Sequence, residues 1–140
     1  MKKTILTFLA ILFIAACSKE ETPQQDPLIG KWYLKQFYRN DSIQVLDECS
    51  LMKNIEFYAD GYYKEEYYKR DTITNICISN GTSGYKWSEY NGQYILDNGS
   101  VFNQELQIKL QNNKLFYTYE GWRFTANGIV SSQMKLVYQK

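Results

Sequence analysis

Histidine is missing from all 140 residues. Its absence removes the commonest general base, the commonest transition-metal ligand and any Ser-His or Cys-His nucleophile pairing. Cysteine is scarce: Cys17, Cys49 and Cys77 show no Cys-x-x-Cys spacing, so a redox pair is not expected, and two cysteines without histidine make a poor zinc site. Charge of one sign is lacking too, with 16 basic against 15 acidic residues. Nucleic-acid binding needs a basic excess or stripe, so nucleic acid is not an expected partner. No glycine-rich phosphate or dinucleotide loop occurs. In the folded part, acidic pairs are present at Glu65-Glu66 and Asp47-Glu48. Neighbours on a strand point to opposite faces, so the first pair cannot grip one substrate, and the second falls in a predicted loop. No catalytic residue, cofactor or metal is expected, and the chain is not read as an enzyme.

Long apolar runs are confined to the start of the chain. Lys2 and Lys3 precede an apolar stretch from Ile5 to Ile14, broken only by Thr7, and Ala15-Ala16 then supply small residues before Cys17. This pattern is a secretory signal peptide, too short for a spanning helix, which needs about 20 apolar residues. Ile14-Ala15-Ala16-Cys17 resembles a bacterial lipobox. The resemblance implies acylation of Cys17 and cleavage before it, so residues 1–16 are the signal peptide and a chain of 124 residues is left. Loss of Lys2 and Lys3 leaves 14 basic against 15 acidic residues, a net charge near −1. Each buried methylene contributes about 0.8 kcal/mol and one acyl chain holds only marginally, so two or three chains fix such a protein to a membrane. Residues 17–27 read as lipidated Cys and flexible tether, with both prolines of the chain and no large apolar side chain. Lys19-Glu20-Glu21 resembles the export signal that sends lipoproteins of the Bacteroidetes to the outer face of the outer membrane; a plain hydrophilic spacer fits equally.

Residues 28–140 form one domain. Thirteen tyrosines, seven phenylalanines and three tryptophans favour strands over helices. Trp32 and Leu34 alternate with Lys31 and Lys35 in a first strand. Asp41 to Met52 reads as a loop. Lys53 to Tyr58 and Tyr62 to Arg70 flank Ala59-Asp60-Gly61, a hairpin signal. Asp71 to Gly84 is loose, with a short edge strand near Ile76 to Ser79. Tyr85 to Tyr90 and Gln93 to Asp97 flank Asn91-Gly92, and Leu106 to Leu110 and Leu115 to Tyr119 flank Asn112-Asn113. Glu120 to Ser132 reads as a longer connection, and Met134 to Tyr138 as the last strand. No amphipathic helix is evident. About eight strands joined by short turns fit a sandwich or an up-and-down barrel, and three tight hairpins favour the meander of an all-β antiparallel barrel.

Gly30-Lys31-Trp32 at the start of the first strand resembles the Gly-x-Trp motif of the lipocalins. The order Gly-x-Trp strand, Cys49, the hairpin Phe57-Tyr58-Ala59-Asp60-Gly61, Cys77 and paired meander strands is similar to the lipocalin-like domain lipoproteins of the Bacteroidetes. The resemblance spans Leu28 to Lys140. It implies a lipocalin-like barrel with Gly30 and Trp32 at its base, and a small hydrophobic or amphipathic ligand inside. Lipocalins often place an arginine near the last strand over this tryptophan, for which Arg123 is the candidate.

With Cys17 consumed by lipid, Cys49 and Cys77 remain as an even pair in an oxidising compartment. A disulfide between them stabilises by about 3 to 4 kcal/mol in the chain-entropy model, against the alternative of two buried thiols. Expected inward residues are Trp32, Leu34, Ile55, Phe57, Trp87, Leu106, Ile108, Leu110, Tyr117 and Leu136, of which Trp32, Phe57, Trp87 and Tyr117 are the candidate ligand contacts. An eight-stranded barrel has room for side chains or one small ligand. A second reading stays open: a filled barrel that docks on an envelope or host-surface protein through the tyrosines at 58, 62, 63, 67 and 68, with Lys64-Glu65-Glu66 as a solvated strand face. Either way the expected protein is a lipid-anchored monomer of the outer membrane, exposed at the cell surface if the export signal is real.

Overall fold

A computed structural model describes residues 25–97, 106–126 and 128–140, without the side chains of Gln107, Arg123 and Phe124. The expected signal peptide, Cys17, most of the tether and the side chain of Arg123 lie outside the described residues.

Strands dominate. In chain order they are β1 (Gly30–Arg39), β2 (Ser42–Gln44), a single helical turn α1 (Glu48–Leu51), β3 (Asn54–Phe57), β4 (Tyr63–Arg70), β5 (Cys77–Ser83), β6 (Lys86–Tyr90), β7 (Gln93–Asp97), β8 (Leu106–Gln111), β9 (Lys114–Thr125) and β10 (Gly128–Gln139). All pairings are antiparallel and join sequence neighbours, except that β1 also pairs β3 across the short β2 and pairs the last strand, Leu34 facing Tyr138. Asparagines and glycines set the turns. Asn91 and Gly92 have φ of 52° and 76°, and Asn112 and Asn113 have 52° and 56°, the positive angles of a two-residue turn that matches strand twist.

The expected loop after β1 contains more structure than composition suggests. Asn40 and Asp41, at φ 48° and 61°, turn the chain into β2, and Asp47 caps α1 by accepting from the Ser50 amide at 2.7 Å. The connection expected over 120–132 is instead a hairpin in which β9 and β10 pair continuously from Thr125–Gly128 to Lys114–Gln139. Glycine and serine there resemble a loop, but ladder hydrogen bonds with an adjacent strand override composition. The described residues thus contain ten strands against the expected eight or so.

The expected all-β antiparallel meander is present, but its ladder is not closed. The hydrogen-bonded sheet runs β5-β4-β3-β1-β10-β9-β8-β7-β6, open between its two end strands. Those ends follow each other along the chain, and the strand bends between them. Its first half pairs β4 and its second half pairs β7. A bridge from Tyr62 to Lys86, with the Tyr63 amide donating to Tyr85 O at 3.0 Å and the Trp87 amide to Gly61 O at 2.8 Å, ties the bend to the start of β4. Gly84 sits at this bend. A Cβ there would lie 2.1 Å from Tyr63 O and 2.9 Å from Lys64 Cα, so the close approach of the two backbones requires glycine.

Every expected inward residue belongs to the core or packs on it. Trp32 is 2% exposed, and its Nε1 donates to Leu28 O at 2.8 Å. A cation does cover it: Lys140 Nζ lies 4.8 Å from the indole centroid and donates to the carbonyls of Pro27 and Ile29 at 2.9 and 2.8 Å. A lysine just past the last strand thus fills the place in which an arginine was expected. The same end captures the foot of the tether, where Asp26 accepts from the Tyr94 hydroxyl at 2.7 Å and from the Leu28 amide at 2.8 Å. Together with burial, which acts most strongly, Asp26 raises the Tyr94 phenol to about 12.

Gly84→Ala is expected to destabilise the domain by about 3 kcal/mol, because backbone rather than a movable side chain blocks the new methyl group. Gly92→Ala, strained only by its positive φ, is expected to lose about 1 kcal/mol. Urea denaturation of the two variants side by side checks the difference.

Candidate functional site

Strand β4 decides what the interior contains. The Asp60-Gly61 turn pairs Phe57 with Tyr63 and Ile55 with Glu65. Phe57 and Ile55 are core residues, so period-two alternation carries Tyr63, Glu65 and then Tyr67 inward. Glu65 is 4% exposed. The solvated face expected for Lys64-Glu65-Glu66 is therefore correct only for its outer residues.

A buried carboxylate must be partnered. Glu65 Oε2 accepts from the Tyr67 hydroxyl and pairs with Lys53 Nζ at 3.4 Å. Lys53 also stands over the Tyr67 ring, 4.6 Å from its centroid, a cation–π contact that keeps the ammonium beside the phenol. Tyr63, Tyr117, Tyr119 and Tyr138 complete an aromatic lining around the carboxylate. Burial first, and the negative charge of Glu65 second, raise the phenols of Tyr63, Tyr67, Tyr117, Tyr119 and Tyr138 above the ordinary range. The Tyr138 hydroxyl is fully buried and has no hydrogen-bond partner among the described residues.

Above this cluster lies a cavity of about 260 Å³. One wall is apolar, from Leu34, Phe37, Leu46 and Leu136; the other carries Ser50, Lys53, Tyr67, Tyr68 and Tyr119. Leu46 and Ser50 come from the segment that contains α1, so this segment covers the mouth. It is fastened by the disulfide between Cys49 and Cys77, which ties α1 to the start of β5, and by Arg70 Nη2, 3.3 Å from Glu48 Oε2.

The four residues named from sequence as ligand contacts sit elsewhere. Phe57, Trp87 and Tyr94 form an edge-to-face chain with centroids 6.1 and 6.0 Å apart, Tyr117 packs on Tyr119 at 5.4 Å, and Trp32 borders a separate recess of about 400 Å³ with Pro27 and Lys140. None lines the 260 Å³ cavity. A larger recess of about 720 Å³ runs along β7, β8 and β9, with Tyr94, Ile108, Leu110, Phe116 and Thr118 in its lining. Sequence reasoning missed Lys53 and Tyr119 as cavity groups and Glu65 as the buried carboxylate that pairs with Lys53. The signal for Glu65 was available: once Phe57 faces inward and Asp60-Gly61 turns the chain, alternation puts Glu65 inside.

The tyrosines of this hairpin are divided between the two faces. Tyr63 is buried and Tyr67 lines the cavity, whereas Tyr58 and Tyr62 are exposed. They form no single docking patch. On the outer face Glu66 gathers Asn54 Nδ2 at 3.1 Å, Lys64 Nζ at 3.0 Å, Tyr68 Oη at 3.3 Å and Lys31 Nζ at 3.5 Å.

The chain was compared with known proteins. Residues 28–117 match the family model of the lipocalin-like domain. No curated protein and no solved structure matches.

The bond from Asn54, and next that from Lys64, hold the Glu66 carboxyl near 2, against an ordinary value of 4.5. A depressed folded value means stability that is present above the unfolded value and lost as the pH falls through the folded one. Acid titration followed by circular dichroism is expected to show stability falling between about pH 4.5 and 2. In Glu66→Gln that part of the slope is expected to be missing.

Proposed function

Because the chain belongs to the lipocalin-like domain family, we propose that it is an envelope lipoprotein whose barrel holds one small amphipathic molecule in the cavity beneath α1. The observation that carries this reading is the two-sided cavity, with four apolar side chains facing Lys53, Tyr67 and Tyr119. Small-ligand sites have this character, mostly apolar walls with a few placed polar groups. At about 260 Å³ the volume lies just below the ordinary range of about 300 to 1,000 Å³. A dry cavity of about 150 Å³ accepts benzene. In proportion this one, open at its mouth, encloses roughly ten non-hydrogen atoms of a ligand.

The anchor is part of the same proposal. The charged head, apolar run and small residues before Cys17 support acylation at that residue, with the domain facing water at the outer membrane and, if Lys19-Glu20-Glu21 acts as an export signal, at the cell surface. Binding is a non-catalytic task, in keeping with the absence of histidine. The competing reading, docking on an envelope or host protein, draws on the exposed Trp122, Ile129 and Val130 of the β9–β10 arm more than on the hairpin tyrosines.

Native mass spectrometry of the protein purified from a bacterium of its own kind is expected to show an added mass that disappears on denaturation. Leu46→Trp, which fills the mouth from the covering segment, is expected to remove most of that mass while the melting temperature is kept. A bare wild-type mass would favour docking. Metabolic labelling with an alkyne fatty acid is expected to mark the wild type and to leave Cys17→Ser unlabelled; label retained in the variant would overturn the anchor.

A further inference from the structure

Lys53 is held in an unusual state. Its side chain is 17% exposed, and it lines the cavity. An ammonium carries three N–H donors and no acceptor. Among the described residues, Lys53 has the Glu65 ion pair at 3.4 Å and the Tyr67 ring, and neither supplies a well-aligned hydrogen bond. The ion pair holds the ammonium at the wall of the cavity that Lys53 lines, and it occupies one side of a group with three donors.

The remaining polar groups of that wall are mostly committed. The Tyr67 hydroxyl donates to Glu65 and the Tyr68 hydroxyl to Glu66, and the Ser50 hydroxyl is taken by Asp47. The Tyr119 hydroxyl has no hydrogen-bond partner among the described residues, and Arg39 adds a second positive charge on its side. No carboxylate lines the cavity. Two uncommitted donors, and as acceptors only hydroxyl oxygens, thus share the lining with Leu34, Phe37, Leu46 and Leu136.

We infer that the ligand of this cavity is a small carboxylic acid, bound as its carboxylate with one oxygen on Lys53 Nζ and the other on the Tyr119 hydroxyl, and with an aryl or short aliphatic body against the leucine wall. The inference rests on the ligand-binding reading above and adds the chemical class. A carboxylate supplies two oxygens that accept charge-assisted hydrogen bonds, which an alcohol or amine of the same shape cannot do. Glu65 acts here as a positioning residue: it holds the ammonium at the cavity wall without meeting the ligand.

The probe is 3-phenylpropionate, whose eleven non-hydrogen atoms approach the roughly ten the volume admits, titrated calorimetrically into the acylated protein in lipid nanodiscs with empty nanodiscs as the blank. The acid is expected to bind at least tenfold more tightly than 3-phenylpropanamide or 3-phenylpropanol, as for a charge-assisted bond replaced by a neutral one. Tyr119→Phe is expected to weaken the acid roughly three- to tenfold and the alcohol less. Lys53→Met is expected to bring acid and amide to parity. Since that change leaves Glu65 buried without its cation, Lys53→Met/Glu65→Gln provides the same test in a chain with no buried charge. Equal affinity for acid and amide in the native protein, or an acid preference that survives loss of Lys53, overturns the carboxylate assignment while the binding of a small molecule stands. If none of the three compounds binds, the ligand-binding reading falls with it.

Discussion

A carboxylate inside an aromatic barrel constrains everything near it. Glu65 could be buried only with a cation and a hydroxyl in reach, and these come from different parts of the chain. Tyr67 is two residues further along the same strand face, so alternation supplies it at no topological cost. Lys53 comes from the short link between α1 and β3, so the covering segment must lie against the mouth for the pair to form. The disulfide from Cys49 to Cys77 fixes that segment independently. The ion pair and the covalent tie therefore act on one element, and both hold α1 over the cavity.

The two ends of the barrel do different work. At the base, Trp32, Leu28 and the tail Lys140 close around one another, and Asp26 and Pro27 are drawn into the same cluster through Tyr94 and Lys140. Polar groups there are satisfied by backbone and side chains of the domain itself. At the mouth Lys53 and Tyr119 line a cavity, and the wall opposite is apolar. Trp32 accordingly borders the recess beside Pro27 and Lys140, while Leu34, two residues along the same strand face, lines the cavity beneath α1.

Sheet closure follows a similar economy. A meander whose first and last strands pair would ordinarily complete its ladder all the way round. Here the strand that should complete it bends at Gly84, pairing β4 before the bend and β7 after it. The missing side chain at Gly84 lets two backbones approach where any Cβ would collide with Tyr63 O. The ring is joined here by covalent chain and by the two backbone hydrogen bonds of the Tyr62–Lys86 bridge in place of a full ladder.

Much of this was legible in the residues themselves. Period-two alternation marked the inward faces, and Asp60-Gly61, Asn91-Gly92 and Asn112-Asn113 located three hairpins, because these local geometries depend on neighbours in sequence. The lipocalin-like class followed from the strand list and Gly30-Lys31-Trp32. The strands hidden at β2 and in the β9–β10 arm were not legible, since serine, glycine and asparagine there gain their strand geometry from a partner strand. Nor was the site. Lys53, Glu65 and Tyr119 are ordinary strand and loop residues in sequence, and only long-range register brings an ammonium and a phenol to one cavity wall with a buried carboxylate beside the ammonium. What the sequence determined was which faces turn inward; what tertiary structure decided was which of the inward groups found partners, because pairing a buried charge is a matter of distance in space.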